Sequence, residues 1–264
     1  MQQSEKTAAE SKLLDQSLPF KVEIAESHEL LDVARMRAQT YGKYLPELAA
    51  KLCQPEFEDF EAGSEVMVAR SKLDGSLLGT LRTQSNLLKP LPLESSITLP
   101  ERFKQSRLVE TTRLCIQSSE SSSLVRNALF KALHQYCLKQ EVDYLLATGR
   151  HPVDRIYTGL LFADAIEAGT FYPMAHVGGV PHRVMFTDVA RAQQQWHTQQ
   201  HHLYQFAFET RHVDINLTRA KQLNWANTNS LKDNTVIDLT ERRKMLRPIH
   251  SEPNRHQQDR QRAA

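Results

Sequence analysis

Glycine is scarce in this chain, with nine in 264 residues. Neither G-x-x-x-x-G-K-[ST] nor G-x-G-x-x-G occurs, which excludes nucleotide-binding loops of those two types. Cysteine is scarcer still. Cys53, Cys115 and Cys137 show no metal-ligand spacing and sit in apolar contexts, which predicts reduced core thiols and a cytoplasmic location. A dominant charge is missing too. The net charge of +2 gives no global pull towards nucleic acid or a membrane, and nucleic acid is not expected as a partner. No apolar run approaches the roughly 20 residues of a transmembrane helix. The opening MQQSEKTAAESK is polar and is not expected to be a secretory leader. Hydrophobic residues make up 40%, low for a wholly packed chain, which predicts disordered ends around a compact middle.

What is present is concentrated in Leu108 to Gln117, LVETTRLCIQ. Val109, Thr111, Thr112 and Ile116 favour a strand. Within that apolar frame stand Glu110 and Arg113, and charged residues are rarely fully buried unless paired. The stretch is therefore an internal ion pair or a working site. Alternation would send Glu110 and Arg113 to opposite faces, because they are three apart. If both line one site, the strand carries a bulge, a feature common beside active sites.

Around this strand the patterning predicts an α/β chain. Pro19 to Ile24 reads as a first strand, and Ser27 as the N-cap of a helix running to Gly42. Leu45 to Leu52 reads as a short helix, followed by an acidic, aromatic loop over Gln54 to Ser64. Glu65 to Arg70 and Leu77 to Thr83 form a hairpin turned at Asp74-Gly75. After a Pro- and Leu-rich connection comes the central strand. A serine-rich turn then caps a long amphipathic helix, Leu124 to Gln140. Asp143 to Thr148 reads as a buried strand, parallel to the central one through a βαβ unit. A helix with Pro152 at N1, a strand Arg183 to Asp188, a helix Val189 to Gln199 and a strand Leu203 to Glu209 complete the order. The expected limits are a disordered tail to residue 18, one domain over 19–217, and a basic, largely disordered tail over 218–264. From Glu241 onwards that tail holds seven Lys or Arg against three Asp or Glu, and a docking arm for an acidic partner is its minority reading.

This order of elements resembles a GNAT-type N-acyltransferase, and the residues sharpen the resemblance. Glu110-Thr111-Thr112-Arg113-Leu114 is similar to the E-S-S-R-F signature of acyl-homoserine lactone synthases. Arg37 to Tyr41 resembles their R-x-x-x-F helix motif, and Glu58-Asp59-Phe60-Glu61 their D-x-F-D loop. Gly79-Thr80-Leu81-Arg82 looks like their third-strand arginine, and Pro152 through Phe162 like the P-x-x-x-x-Y-x-x-L-G-F helix. Glu47 stands where the lactone synthases place a tryptophan. The later half, with Phe171-Tyr172-Pro173 and Gly178-Gly179-Val180-Pro181, looks more like the long-chain N-acyl amino acid synthases.

The resemblance implies a GNAT-like mixed, twisted sheet with helices on both faces. It also implies transfer of a long-chain acyl group from an acyl carrier protein thioester to the amine of an amino acid or similar small amine, with no cofactor. Glu110 is then the candidate base, Arg113 its neighbour in the catalytic set, and Tyr157 a candidate proton donor to the leaving thiolate, against a packing role. Arg37, Tyr41, Glu58, Glu61, Arg82 and Thr112 would hold the acceptor. Arg113 and Arg82 are suited to bidentate carboxylate binding or, equally, to clamping Glu58 or Glu61 and so ordering the acidic loop. Cys115, Ile116, Gln117, Ser118 and Thr148 would hold the acyl donor, with a backbone N–H near Cys115 facing the thioester oxygen. Cys115 is not read as a nucleophile, because direct attack needs no acyl-enzyme. The loop Gln117 to Ser123 has no glycine and carries Glu120, which favours a carrier protein over CoA as donor, since CoA brings a diphosphate. Eleven histidines, with His197 and His201 at i, i+4 near His202, read as surface residues and not as a metal site. Three rival readings remain: a lactone synthase using S-adenosylmethionine, an acetyl-CoA-dependent acetyltransferase, and an interaction protein on a GNAT core.

Overall fold

Phe20, Val22 and Ile24 alternate with more exposed neighbours, and that period of two opens the main sheet. The computed structural model describes residues 14–227. In chain order its regular elements are β1 (Leu14–Gln16), β2 (Phe20–Ile24), α1 (Leu30–Gly42), α2 (Pro46–Lys51), β3 (Ser64–Ser71) and β4 (Leu77–Ser85). Then follow β5 (Leu108–Ile116), α3 (Ser122–Lys139), β6 (Tyr144–Gly149), α4 (Asp154–Gly159) and β7 (Ala163–Asp164). The last are β8 (Tyr172–Met174), β9 (Val180–Asp188), α5 (Ala192–Thr198), β10 (Thr210–His212) and β11 (Ile215–Asn216).

The main sheet runs β11-β2-β3-β4-β5-β6-β9-β7. It is mixed: β5 and β6 are parallel, while β2, β3, β4 and β5 are successively antiparallel. Helices cover both faces. On β3, Met67 and Ala69 join the core shared with Leu129, Leu133 and Tyr136 of α3. Val66 and Val68, one residue out of phase, pack with Leu30 and Val33 of α1. The connection 86–107 folds into short 3-10 turns whose Leu91, Leu93, Leu99 and Phe103 form a second core with Leu108 and Leu146.

Two features of β5 position everything that follows. First, its pairing with β4 shifts register: Thr80 faces Cys115 but Arg82 faces Thr112, so β5 carries one extra residue. The extra residue is Arg113, whose φ of 55° lies in the left-handed region. This is the bulge expected from the Glu110–Arg113 spacing. Second, its pairing with β6 runs only from Leu108–Tyr144 to Thr111–Ala147. Beyond that point Thr148 and Gly149 pair with β9, and a gap opens between the last residues of β5 and β6.

Several expectations are corrected. Leu203 to Glu209 is not a strand but a π-helical turn over Gln205–Glu209. Leu203, Phe206 and Ala207 stand at i, i+3, i+4 and share one apolar cavity wall, a helical signal that the apparent alternation masked. Pro152 precedes α4 and is not its first residue, since Val153 is the N-cap. Ser27 is not a cap: Glu26 and Glu29 form a reciprocal capping box there. Among the described residues, pairing and buried contacts also occur outside 19–217. Leu14–Gln16 pairs in parallel with β10, inside the expected N-terminal tail. Within the expected C-terminal tail, Leu223 is buried and its N–H donates to the Gln140 side chain. The Trp225 indole donates to the Gln140 carbonyl. The basic stretch from Glu241 lies outside the described residues.

Candidate active site

Because of the bulge, Glu110, Thr112, Arg113 and Cys115 all address the face of β5 that α1 covers, while Val109, Leu114 and Ile116 pack against the α3 core. Arg113 donates through Nε and Nη2 to Glu56 at 2.8 and 2.7 Å, a bidentate pair. Its left-handed backbone is therefore fixed by the contact it enables. Arg82, from β4, donates to Glu56 at 3.1 Å, to Asp59 at 3.2 Å and to the Thr112 hydroxyl at 3.3 Å. Arg37, fully buried on α1, donates to both Asp59 oxygens at 2.7 and 2.9 Å and to Glu56 at 3.4 Å.

Three guanidiniums thus close on two carboxylates. Those carboxylates are Glu56 and Asp59, not the expected Glu58 and Glu61. Glu58 makes none of these contacts, and Glu61 pairs with Lys89. The turn Phe57–Asp59 explains the shift by two residues. Glu56 caps it and Asp59 is its third residue, and each side chain accepts a backbone N–H of the other end. That box aims both acids inward.

Glu110 stands apart from this knot. It is fully buried, yet neither internal pair open to it, with Arg113 or with Arg82, forms as a hydrogen bond. Oε2 accepts the Leu93 N–H at 3.0 Å and Oε1 has no partner. Burial pushes its carboxyl up to about 8, against the opposing pull of the Leu93 N–H, Arg82 and Arg113. Burial acts on Glu56 in the same direction, but the Arg113 hydrogen bonds and the three guanidinium charges hold it down at about 2.

The remaining expected residues fall around the gap. Tyr41 is half-buried, with the Arg113 guanidinium 5.8 Å from its ring centre. Cys115 is buried and its thiol is pushed up to about 11 by burial, so no thiolate forms near neutral pH. Ile116, Gln117 and Ser118 follow it out to solvent, and Thr148 sits on the facing strand. Tyr157 is buried against Phe130 and Phe162, with ring centres 5.8 and 5.5 Å away. It lies against Gly149, where a Cβ would stand 3.1 Å from its ring. Burial, with Tyr41 and Glu110 nearby, keeps its phenol protonated well above the ordinary range.

Sequence reasoning missed Glu56, Asp59 as the inward partner, and His176. The last lies between β8 and β9, and its carbonyl accepts from Arg113 at 3.4 Å. Among the described residues no His, Cys, Asp or Glu group could hold a metal ion. His201 instead binds the Gly159 carbonyl and stacks on Trp196.

A buried carboxyl next to a guanidinium knot, beside a gap in a parallel strand pair, is the setting in which the comparisons fall. The sequence profile of the N-acyl amino acid synthase FeeM family matches residues 32–185. This chain belongs to that family. No curated protein matches it. It is similar to the solved structure of FeeM, an N-acyl amino acid synthase from uncultured soil microbes, at 18% identity and a TM-score of 0.54. That match covers 71% of this chain and 96% of FeeM. It is also similar to BjaI, a CoA-dependent acyl-homoserine lactone synthase solved with SAM and isopentyl-CoA, at 12% identity and a TM-score of 0.54. There the match covers 80% of this chain and 99% of BjaI. These two likenesses establish the GNAT-like fold. With the family match, the chain is an N-acyltransferase, acting on an acyl thioester and an amine without a prosthetic cofactor.

Proposed function

We propose that the protein moves a long-chain acyl group from an acyl carrier protein thioester to the amine of an amino acid. The observation that carries this reading is Glu110, a fully buried carboxyl near pH 8 with one free oxygen. A general base works best when its pKa lies near the operating pH. Glu110 takes a proton from the acceptor ammonium, and the amine nitrogen attacks the thioester carbonyl. The first ammonium proton leaves Glu110 for solvent. As the N–C bond forms and the C–S bond breaks, Glu110 takes the second nitrogen proton. That proton ends on the departing thiolate, either directly from Glu110 or through Tyr157, which Glu110 then reprotonates.

An acceptor carboxylate is favoured by charge. Arg37, Arg82 and Arg113 outnumber Glu56 and Asp59, and Arg37 has buried Nε and Nη2 atoms without partners. An uncompensated buried guanidinium attracts an anion. The donor arm fits the gap between β5 and β6, where backbone amides of β5 near Cys115 would face the thioester oxygen. An apolar cavity of about 60 Å³, lined by Phe130, Leu160, Phe162 and Trp196, has room for only the last carbons of an acyl tail as it stands, so a long tail requires these side chains to part. The exposed, glycine-free loop with Glu120 favours a carrier protein donor over CoA.

The test is mass spectrometry of lipid extracts from a bacterium expressing wild type or Glu110→Gln. A series of N-acyl amino acids is expected with wild type, falling by roughly 10²–10⁴ in the variant, the usual contribution of a positioned base. Lactones in their place would move the protein to signal synthesis. An undiminished series in Glu110→Gln would remove Glu110 as the base.

A further inference from the structure

The acceptor's amine poses a problem that the site so far described does not solve. Three guanidiniums repel an ammonium, and the carboxylates beside them are fully engaged. The Glu110 Oε1 atom offers one free acceptor. A second unpartnered acceptor lies on the turn that packs against the Leu93 segment. His176 sits on the short 3-10 turn Ala175–Val177 that joins β8 to β9. Its Nδ1 is buried and has no partner.

The turn is built to hold its position. The Ala175 N–H donates to the Ser96 hydroxyl at 2.8 Å, Val177 is buried, and the Gly179 N–H returns to the Met174 carbonyl at 2.8 Å. Gly178 and Gly179, with φ of 74° and 79°, make the reversal that only glycine adopts freely. The same turn packs on the Pro92–Ser95 turn that supplies the Leu93 N–H to Glu110, and it accepts from Arg113 through the His176 carbonyl. The turn therefore contacts both the segment that gives Glu110 its one hydrogen bond and the guanidinium knot.

We propose that His176 binds the acceptor, its neutral imidazole receiving a hydrogen bond from the amine at Nδ1 and turning the nitrogen towards Glu110. This rests on the amino acid acceptor proposed above. The charged and titratable groups whose fields reach the ring are Arg113, His182, Arg82 and Glu56. Burial and the two guanidiniums press His176 down to about 4, so it stays an acceptor through the working range and adds no fourth cation. A group so weakly basic is an orienting partner and leaves the proton to Glu110.

The experiment uses the purified full chain, a long-chain acyl carrier protein thioester and an equimolar mixture of the common amino acids. Steady-state kinetics then follow on the acceptor that wild type selects. His176→Ala and the ring-filling His176→Phe are expected to raise the acceptor KM about tenfold, with the donor KM and the pH midpoint of kcat unmoved. His176→Asn, which places an oxygen near the Nδ1 position, is expected to recover most of the loss. Where the alanine variant does not fold, the phenylalanine and asparagine pair decides. An acceptor KM unchanged in His176→Phe, or acceptor and donor KM rising together, overturns the assignment while wild-type synthesis stands. Absence of any N-acyl amino acid with wild type overturns the proposed function, and this assignment with it.

Discussion

Glu56 and Glu110 are two carboxyls of one site with opposite proton affinities. Glu56 receives three guanidiniums and sits near 2; Glu110 receives one backbone N–H and sits near 8. Both lose solvent, so burial alone does not separate them. The difference lies in who reaches the oxygens. The bulge turns Arg113 towards Glu56, and the charges that a straight strand would leave to chance are spent on the acidic turn. One acid becomes a fixed anion that positions arginines. The other stays free to exchange a proton near neutral pH. Environments that push paired titratable groups apart are how acid and base roles are divided.

The largest way to break this contrast is through the knot. Asp59→Ala removes the acceptor that Arg37 and Arg82 share, leaving buried guanidinium charge uncompensated. Loss of one partner of a buried pair costs about 3–5 kcal/mol. Urea unfolding should report that loss, and a cost below about 1 kcal/mol would mean water reaches the cluster.

Glu110→Gln works in the other direction. The native carboxyl holds its proton to about pH 8, whereas the unfolded chain releases it near 4.5. The native state therefore binds more protons across that window, and the stability contributed by this group falls as pH rises from about 4.5 to 8. It is fully present below the lower value and lost above the upper one. Each unit of separation is worth about 1.4 kcal/mol, so the total is on the order of a few kcal/mol. The variant should be more stable than wild type at pH 9 and lose activity at every pH. Equal melting temperatures at pH 5 and pH 9 in both proteins would show that Glu110 is hydrated in solution.

The two acids were not equally legible in the chain. Glu110 stands out because a carboxylate in an apolar strand is anomalous, and its spacing from Arg113 forced the bulge that the fold contains. The acidic loop offers Glu56, Glu58, Asp59 and Glu61 within six residues. Composition cannot choose among them. The choice is made by a single 3-10 turn, and its capping box, acid at the cap and acid three residues on, was the available local signal. His176 left no local trace, since its relevance comes from a hairpin folded against two distant segments. The strand order was readable because periods of two and of roughly 3.6 are local. The π-helical turn near Phe206 was not, because aromatic residues satisfied both periods.

Gln140 supplies the uncharged control for both acids, and the smallest expected effect. It is fully buried at the end of α3, where its amide donates to the Lys221 carbonyl at 3.1 Å and accepts the Leu223 N–H at 2.7 Å. Like Glu56 it is fully engaged, and like Glu110 it has no ionic partner. Gln140→Leu leaves the Leu223 N–H and the Lys221 carbonyl unmatched, which costs about 1–3 kcal/mol where water stays out and less where the segment frees itself. Because Gln140 itself carries no titrating group, the loss due to its two hydrogen bonds should be the same at pH 5 and pH 9, unlike that of Glu110. Hydrogen exchange should quicken at Leu223 and leave the β5 amides protected. A loss that grew with pH would tie this segment to nearby Glu65, whose carboxylate accepts the Lys221 N–H at 2.7 Å, and would make the C-terminal contact itself a titrating one.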